Sequence, residues 1–161
     1  MDSRAGHGAT FTACFSRPET PHITVPAMAK QSRPDMRQTK GLPCVLLVDD
    51  YAPTVMVASI YLEQFGFECD TAENGLIAVE KAKERKYYAI LMDVQMREMD
   101  GYQATRAIRR LEQETQAPRT RIIGMTAHTQ AGDRQKCIDA GMDDYLAKPY
   151  DLDELRKKLA S

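Results

Sequence analysis

The chain has 161 residues, which suits one ordinary domain and leaves too little for two. It carries 22 basic and 23 acidic residues, a net charge of −1, so the chain as a whole is not built to coat nucleic acid or an anionic membrane. Hydrophobic residues make up 43%, yet no apolar run approaches the roughly 20 residues of a membrane-spanning helix. The amino terminus lacks an apolar signal-peptide region, and we expect a cytoplasmic protein without membrane insertion.

The cysteines are scattered rather than grouped. Cys14, Cys44, Cys69 and Cys137 form no CxxC pair and have no histidine beside them at ligand spacing. This pattern argues against a structural zinc site and against a disulfide framework. We expect Cys44, Cys69 and Cys137 to be small, buried and reduced side chains.

The composition changes near residue 43. The segment up to this point contains five of the eight prolines and shows no sustained apolar period of 2 or 3.6. Such a segment cannot bury enough apolar surface to offset the entropy lost on ordering. We predict that residues 1–42 form a disordered tail, unless translation begins at Met28, and that residues 43–161 form one domain.

From residue 44 onward, short apolar runs alternate with segments of helical period. The runs predict five strands, at residues 44–48, 67–72, 88–92, 121–125 and 145–147. Helices are predicted between Pro53 and Gly66, at about 75–85, after Gly101, at 132–140 and after residue 151. Asp151 or Asp153 caps the last helix. Its leucines at i, i+3 and i+7 share one face: Leu152, Leu155 and Leu159.

This alternation predicts an α/β fold. Apolar strands that alternate with helices form a parallel sheet covered on both faces, and right-handed crossovers make it doubly wound. In such sheets, sites form at the carboxyl ends of the strands. Polar residues follow four of the five predicted strands, at Asp49, Asp50, Asp93, Thr126 and Lys148. Each alone is more typical of a turn or cap, but together they predict one site at one edge.

The residue types at this edge indicate phosphoryl chemistry. Three carboxylates in one crevice repel each other unless a cation relieves them. Oxygen ligands without a nearby histidine or cysteine favour a hard divalent ion, and Mg²⁺ is the usual intracellular choice. Lys148 and Thr126 add donors that can surround a phosphoryl group. Asp93, at the end of the apolar third strand, is the candidate nucleophile that forms an aspartyl phosphate.

At this point the chain resembles the receiver domain of two-component response regulators. Among receivers it is most similar to those of hybrid sensor histidine kinases, and as a chain without an appended domain it is similar to chemotaxis regulators. The resemblance covers about residues 43–160 and implies a flavodoxin-like, five-stranded sheet with strand order 2-1-3-4-5. The matching stretches are VLLVDD at 45–50, AENG at 72–75, LMDVQM at 91–96, MDG at 99–101, IGMTA at 123–127 and AGMDDYLAKP at 140–149.

The resemblance also implies a metal-dependent phosphoacceptor. Asp93 would accept a phosphoryl group from a phosphohistidine on a partner. Asp50 and Asp93 would bind Mg²⁺ directly, together with the backbone carbonyl of Gln95, while Asp49 would hold the ion largely through water. Lys148 would pair with the phosphoryl oxygens across a cis bond to the proline that follows it.

Two further residues are implied to act as a switch. Thr126 would move toward the phosphate, and Tyr145 would turn inward when Thr126 moves. The two states exist beforehand, and the new contacts shift their populations. The implied output surface is helix 4, strand 5 and helix 5, at about residues 132–160.

Two residues depart from the family pattern. Arg97 stands where the family often has proline, which predicts a looser loop of changed charge after Asp93. Tyr51 stands where asparagine or glutamate is common, and its ring is expected to narrow access to the site or alter the lifetime of the phosphoryl group. Neither change removes an essential group, and His128 is expected to be an exposed loop residue.

Other classes fit less well. A dinucleotide-binding or flavodoxin-type domain needs a glycine-rich or phosphate-tolerant turn where this chain has Asp49 and Asp50. A haloacid-dehalogenase-type phosphatase expects a second aspartate where Gln95 stands. The stronger alternative is a receiver-fold docking module that acts without phosphorylation.

The prediction is therefore a stand-alone response regulator in phosphorelay signal transduction. Its partners are a sensor histidine kinase or a histidine phosphotransfer protein and a downstream protein target, with no direct contact to nucleic acid. It is not an enzyme beyond assisting its own phosphorylation and dephosphorylation. Homodimerisation through the output surface is left open.

Overall fold

The structure, a computed structural model, describes residues 41–127 and 131–160, apart from the side chain of residue 131. The predicted tail falls almost entirely outside these residues, and so does His128. Within the described part, no helix is long and apolar enough to cross a membrane.

Five strands alternate with five helices in the described part, as predicted. The strands are β1 (Cys44–Val48), β2 (Glu68–Ala72), β3 (Ala89–Asp93), β4 (Arg121–Thr126) and β5 (Asp144–Ala147). The helices are α1 (Ala52–Gln64), α2 (Gly75–Glu84), α3 (Gly101–Glu114), α4 (Ala131–Asp139) and α5 (Leu152–Ala160).

All four strand pairings are parallel, in the order β2-β1-β3-β4-β5. This confirms the doubly wound, flavodoxin-like fold and its strand order. Because the strands are parallel, their carboxyl ends share one edge, which we call the site edge; the opposite edge is the amino edge.

Two apolar cores cover the two faces of the sheet. Alternate residues of β1 serve opposite faces, because successive strand side chains point to opposite sides. Leu46 and Val48 pack with α2 and α3, while Val45 and Leu47 pack with α1 and α5. Both sides of β1 and β3 are completely covered, which explains why these strands are uninterrupted apolar runs.

Some predicted boundaries move by one residue, with consequences for the site. Asp93 and Thr126 are the last residues of β3 and β4 rather than the first residues beyond them, so the sheet itself fixes their backbones. Asp151 caps α5, because its Oδ1 accepts from the Glu154 amide at 2.6 Å. Of the three leucines predicted on one face of α5, Leu155 and Leu159 are buried, whereas Leu152 in the first turn is 36% exposed.

The three described cysteines are free thiols. Cys44 and Cys137 are buried as predicted, whereas Cys69, near the middle of edge strand β2, is only half-buried. Burial raises the pKa of Cys69 from 9.0 to about 11. Since the thiolate is the reactive form, this shift alone reduces the reactive fraction near pH 8 by roughly 100-fold.

We therefore expect native Cys69 to react with iodoacetamide at pH 8 at least about 100-fold more slowly than in the unfolded chain. Peptide-resolved mass spectrometry with and without guanidinium measures this ratio directly. Equal rates in the two states would contradict the burial of Cys69.

Candidate active site

The predicted site residues meet at the site edge. Asp49 follows β1, Asp93 ends β3, Thr126 ends β4 and Lys148 follows β5. The Lys148 amide donates to the Thr126 carbonyl at 2.7 Å, which fixes the start of the β5–α5 loop against β4. The Lys148–Pro149 bond is cis, as the resemblance implies.

Lys148 joins the two buried carboxylates. Its Nζ lies 2.6 Å from Asp49 Oδ2 and 3.0 Å from Asp93 Oδ2. Burial alone would lower the pKa of Lys148, but the hydrogen bonds to both carboxylates raise it above its ordinary value. The ammonium is therefore charged at neutral pH and is held between strands that are adjacent in the sheet.

Asp93 is the most constrained carboxyl of the site. One oxygen contacts Lys148, and Oδ1 accepts from the Gln95 amide at 3.3 Å. Burial raises the pKa of Asp93, and the Lys148 ammonium opposes that rise only in part. The Lys148 ammonium therefore does not fully compensate the charge of the buried Asp93 carboxylate, and a further cation would stabilise it.

Asp49, Asp50 and Asp93 form an all-oxygen cluster. One carboxylate oxygen from each lies within 4.8 Å of the others, with Asp49 and Asp93 buried and Asp50 exposed. The Asp49 Oδ1 also accepts from the Tyr51 amide at 2.9 Å, which orients that carboxylate. Three carboxylates with one ammonium leave a formal charge of −2. A hard divalent cation such as Mg²⁺ fits this donor set, which contains neither sulfur nor imidazole.

An open cleft of about 490 Å³ adjoins the cluster. Its walls come from the β3–α3 loop, the end of β4 and α4. Among the residues that line it are Asp50, Gln95, Arg97, Tyr102, Thr126 and Lys136. The structure thus brings Gln95 and Thr126 to the same space as Asp50, as the sequence predicted. A phosphoryl-sized group can enter from this side.

The β3–α3 loop beside the cleft is tied down at several points. The Gly101 amide donates to the Val94 carbonyl at 3.1 Å, and the Gly75 amide donates to the Met99 carbonyl at 3.3 Å. Asn74 Nδ2 also donates to Glu98 Oε2 at 2.9 Å. Arg97 is exposed within this loop. The looser loop expected from Arg97 in place of proline remains a prediction.

Tyr145 lies apart from the cluster. It is half-buried on edge strand β5, paired with Gly124 of β4, and it is not among the residues lining the cleft. Lys158 Nζ lies 5.4 Å from the centre of its ring and 2.5 Å from Asp144 Oδ1. Its predicted role as a switch remains a prediction.

Two features of the site were not predicted from the sequence. Tyr102, in the first turn of α3, lines the cleft beside Thr126. Gly101 lies so close to β3 that a Cβ added to it would stand 2.1 Å from the Asp93 carbonyl oxygen. The available signal was their position in the first turn of a helix that begins at the site edge.

Tyr51 does not close the cleft. It is 63% exposed and lies on the other side of the cluster, where it lines a groove of about 610 Å³ with α1 and the β5–α5 loop. Lys148 and Pro149 line the same groove, so it reaches the site edge. The expectation that Tyr51 alters access or phosphoryl lifetime remains a prediction.

Comparison with known proteins shows the family. The model of the Response regulator receiver domain matches residues 45–160. The chain belongs to this family and is a receiver domain of the kind found in phosphorelay two-component systems. This assignment gives no support to the dinucleotide-binding and phosphatase alternatives.

Curated relatives place the chain among receivers of hybrid kinases. It is 36% identical over 154 residues to the signal transduction histidine-protein kinase BarA of Escherichia coli, covering 91% of this chain and 16% of BarA. It is 41% identical over 107 residues to the sensor protein GacS of Pseudomonas syringae, covering 66% of this chain and 12% of GacS. The chain therefore spans less than a fifth of the length of either kinase.

Solved structures agree with the fold. The chemotaxis protein CheY4 of Vibrio cholerae has a TM-score of 0.68 at 29% identity, covering 74% of this chain and 98% of CheY4. The receiver domain of sensor histidine kinase PA1611 of Pseudomonas aeruginosa, solved with a magnesium ion in its active site cleft, has a TM-score of 0.65 at 38% identity, covering 74% and 94%. The receiver domain of Ssk1 of Saccharomyces cerevisiae was solved with the histidine phosphotransfer protein Ypd1. It has a TM-score of 0.69 at 28% identity, covering 76% of this chain and 90% of the Ssk1 chain.

Proposed function

We propose that this chain is a phosphoacceptor in a histidine–aspartate phosphorelay, with Asp93 as the acceptor and Mg²⁺ as the required ion. The observation that carries the proposal is the position of Lys148, which bridges Asp49 and Asp93 beside the oxygen cluster. An aspartate that serves only in packing or in a turn does not require a lysine that contacts two buried carboxylates at once. The PA1611 receiver, solved with magnesium in its cleft, supports the choice of ion.

The reaction follows from the charges. An Asp93 oxygen attacks the phosphorus of a phosphohistidine, and the phosphorus–nitrogen bond breaks with its electron pair remaining on the imidazole. Asp49, Asp50, Asp93 and the Gln95 carbonyl would hold Mg²⁺, which supplies positive charge to the phosphoryl oxygens. Lys148 moves from the Asp93 carboxylate to those oxygens. The chain assists this transfer and the later hydrolysis and acts on no separate substrate.

Signal output is proposed to begin at Thr126. This side chain is 3% exposed at the end of β4 and faces the cleft that the phosphoryl group would enter. Its hydroxyl can donate to a phosphoryl oxygen, which draws the end of β4 toward Asp93. Tyr145, in the adjacent strand, would then occupy the space that opens. The altered surface of α4, β5 and α5 would bind the downstream protein.

The phosphodonor is proposed to dock on α1. Only one of the 13 residues of this helix is charged, and Met56, Val57 and Ile60 on its outer side are between 45% and 68% exposed. A helix that is apolar on both sides is expected to bury both. The groove beside it contains Lys148, so a protein seated there can present a histidine to Asp93. Ssk1 was solved with a histidine phosphotransfer protein, which supports a partner of this class.

The test of the phosphoacceptor is intact-protein mass spectrometry after incubation with acetyl phosphate, with and without Mg²⁺. We expect a gain of one phosphoryl group that requires Mg²⁺. The same gain in EDTA would contradict the metal site. No gain in either condition, together with no Mg²⁺ binding by calorimetry, would favour the phosphorylation-independent docking module.

The docking surface has a separate test, Ile60→Glu. We expect phosphoryl transfer from a histidine phosphotransfer protein to fall at least about tenfold, because the charge cannot be buried in the complex. Labelling by acetyl phosphate, which needs no docking, should stay within twofold. The donor is the protein that labels the wild type fastest in a panel of phosphorylated phosphotransfer proteins.

Leu76→Glu is the matched control, since Leu76 is 48% exposed on α2, a different helix. An equal loss with Leu76→Glu would indicate a general effect of added charge. A loss of labelling by acetyl phosphate in Ile60→Glu would show that the site itself was damaged.

A further inference from the structure

A buried arginine occupies the amino edge of the sheet, opposite the site. Arg109 of α3 has a side chain only 10% exposed. Its Nε donates to the Gly141 carbonyl at 2.8 Å, and one terminal nitrogen donates to the Thr120 carbonyl at 2.8 Å. Ion pairs to Glu112 at 2.7 Å and Asp143 at 2.6 Å complete its contacts. The guanidinium thus binds the loop that precedes β4 and the loop that precedes β5.

Its partners are joined to the same loops. Asp143 Oδ2 also accepts from the Ile122 amide at 2.8 Å, and Glu112 Oε1 accepts from the Thr120 amide at 2.6 Å. Arg119 adds bonds to Asp143 and to the Gly141 carbonyl, both at 2.9 Å. We call this set the Arg109 cluster; it comprises Arg109, Glu112, Arg119, Thr120, Gly141 and Asp143. Every carboxylate in it has at least two partners, which is the condition under which buried charges rigidify a structure.

Gly141 lies two residues beyond the end of α4, and both its backbone conformation and its packing against Arg109 favour glycine. Its φ is +96°, a region that favours glycine. A Cβ at this position would also stand 3.1 Å from Arg109 Cγ. The turn from α4 into β5 is therefore held by its own backbone conformation and by the arginine packed against it.

The two ends of α4 consequently differ. The helix follows β4, whose last residue is Thr126 at the site edge, and it runs to the amino edge, where Gly141 meets the Arg109 cluster. Thr126 is separated by five positions in the sequence from the first residue of α4 and by 13 from its last residue, so its displacement is expected to affect the amino end of the helix first. The carboxyl end is attached through Arg109 to the third turn of α3 and to the residues before β4, at the edge of the sheet opposite Asp93.

We propose that the Arg109 cluster anchors the carboxyl end of α4, so that phosphorylation rearranges the amino half of this helix while its last turn stays in place. This inference rests on the proposed function of Asp93. It adds which part of α4 moves after phosphorylation and which part stays fixed. Arg109 is a positioning residue, because it touches neither the acceptor nor the metal site. The partner-binding surface that changes is accordingly the part of α4 nearest Thr126.

The anchor itself is tested on the unmodified full chain by amide hydrogen exchange. We expect the amides of Thr120, Ile122 and Asp143 to lose at least about tenfold in protection in Arg109→Met, with β1 and β3 unchanged. Arg119→Met, which removes a more exposed arginine with two bonds in the same cluster, should lose less. If Arg109→Met lowers protection throughout the sheet, Arg109→Lys is measured instead, because it keeps the charge and loses the fork geometry.

The predicted pivot, meaning movement of the amino half of α4 about its anchored carboxyl end, is tested on the wild type and Arg109→Lys after phosphorylation. The gain of mass is checked on the same samples. In the wild type, exchange should change in peptides covering 131–135 and stay within twofold in peptides covering 140–144. In Arg109→Lys the change should extend to 140–144.

Equal changes at both ends of α4 in the wild type would overturn the proposal. So would identical exchange patterns in the wild type and the lysine variant. Absence of a mass gain would instead refute the proposed acceptor function, on which the pivot depends, whereas the protection of the cluster in the unmodified chain reports on the anchor alone.

Discussion

Asp93→Asn is expected to abolish phosphoryl incorporation completely while leaving the protein folded. The amide oxygen can replace Oδ2 and accept from Lys148, while the NH2 group takes the place of Oδ1 and loses only the 3.3 Å contact with the Gln95 amide. An amide lacks the charge and nucleophilicity of a carboxylate, and no acyl phosphate can form on it. Intact-mass measurement after incubation with acetyl phosphate and Mg²⁺ gives the result directly.

The same substitution is expected to stabilise the metal-free protein. The raised pKa of Asp93 means that folding favours its protonated form, so its stabilising contribution is lost as the pH rises through the folded pKa. At pH 7 in EDTA, Asp93→Asn should therefore have a higher free energy of unfolding and a higher Tm than the wild type. The difference should vanish below the ordinary carboxyl pKa of 3.8, where wild-type Asp93 is itself neutral.

Asp153→Asn provides the matched control, because it removes one exposed carboxylate from α5. It should change neither labelling nor Tm. A phosphoryl group that still appears on Asp93→Asn would show that another residue is the acceptor.

Gly101→Ala is expected to be the most damaging single methyl group in the domain. The new Cβ would stand 2.1 Å from the Asp93 carbonyl oxygen and 2.9 Å from its carbonyl carbon, which are backbone atoms that cannot rotate away. The φ of Gly101 is not positive, so the cost is steric overlap alone. We expect a loss of about 3 kcal/mol in the free energy of unfolding, or about 10 °C in Tm.

The expected damage extends to function, because relief of the overlap must move either α3 or the strand that carries Asp93. Labelling by acetyl phosphate should slow several-fold even in the folded fraction. Gly132→Ala is the control, since nothing lies within 4 Å of its added Cβ on exposed α4. It should be neutral or stabilise by about 0.5 kcal/mol, and a comparable loss there would contradict the steric explanation.

The sheet and the acidic site were within reach of the sequence. The uninterrupted apolar runs before Asp49 and Asp93 indicate buried parallel strands, and the parallel arrangement alone brings the residues at their carboxyl ends together. The helix periodicity also identified the buried positions of α5 at Leu155 and Leu159. The periodicity does not show where along the helix the core ends, and Leu152 in the first turn is exposed.

Other features depend on distances between segments, which a pattern of residue types does not encode. A glycine at the start of a helix is common, and only the packing of α3 on β3 shows that Gly101 has no room for a methyl group. Arg109 on α3 resembles any surface arginine in the sequence, and only the structure shows that two separate loops bind it.

The bond between Lys148 and Asp49 joins residues 99 positions apart in the chain. One follows the first strand and the other follows the last. The proposed reactive centre is therefore completed only when the two ends of the domain have met. A chain still emerging from the ribosome, or one truncated before its last strand, would lack the ammonium that the proposed transfer needs. Such fragments are therefore expected not to accept phosphoryl groups from the donors of the relay.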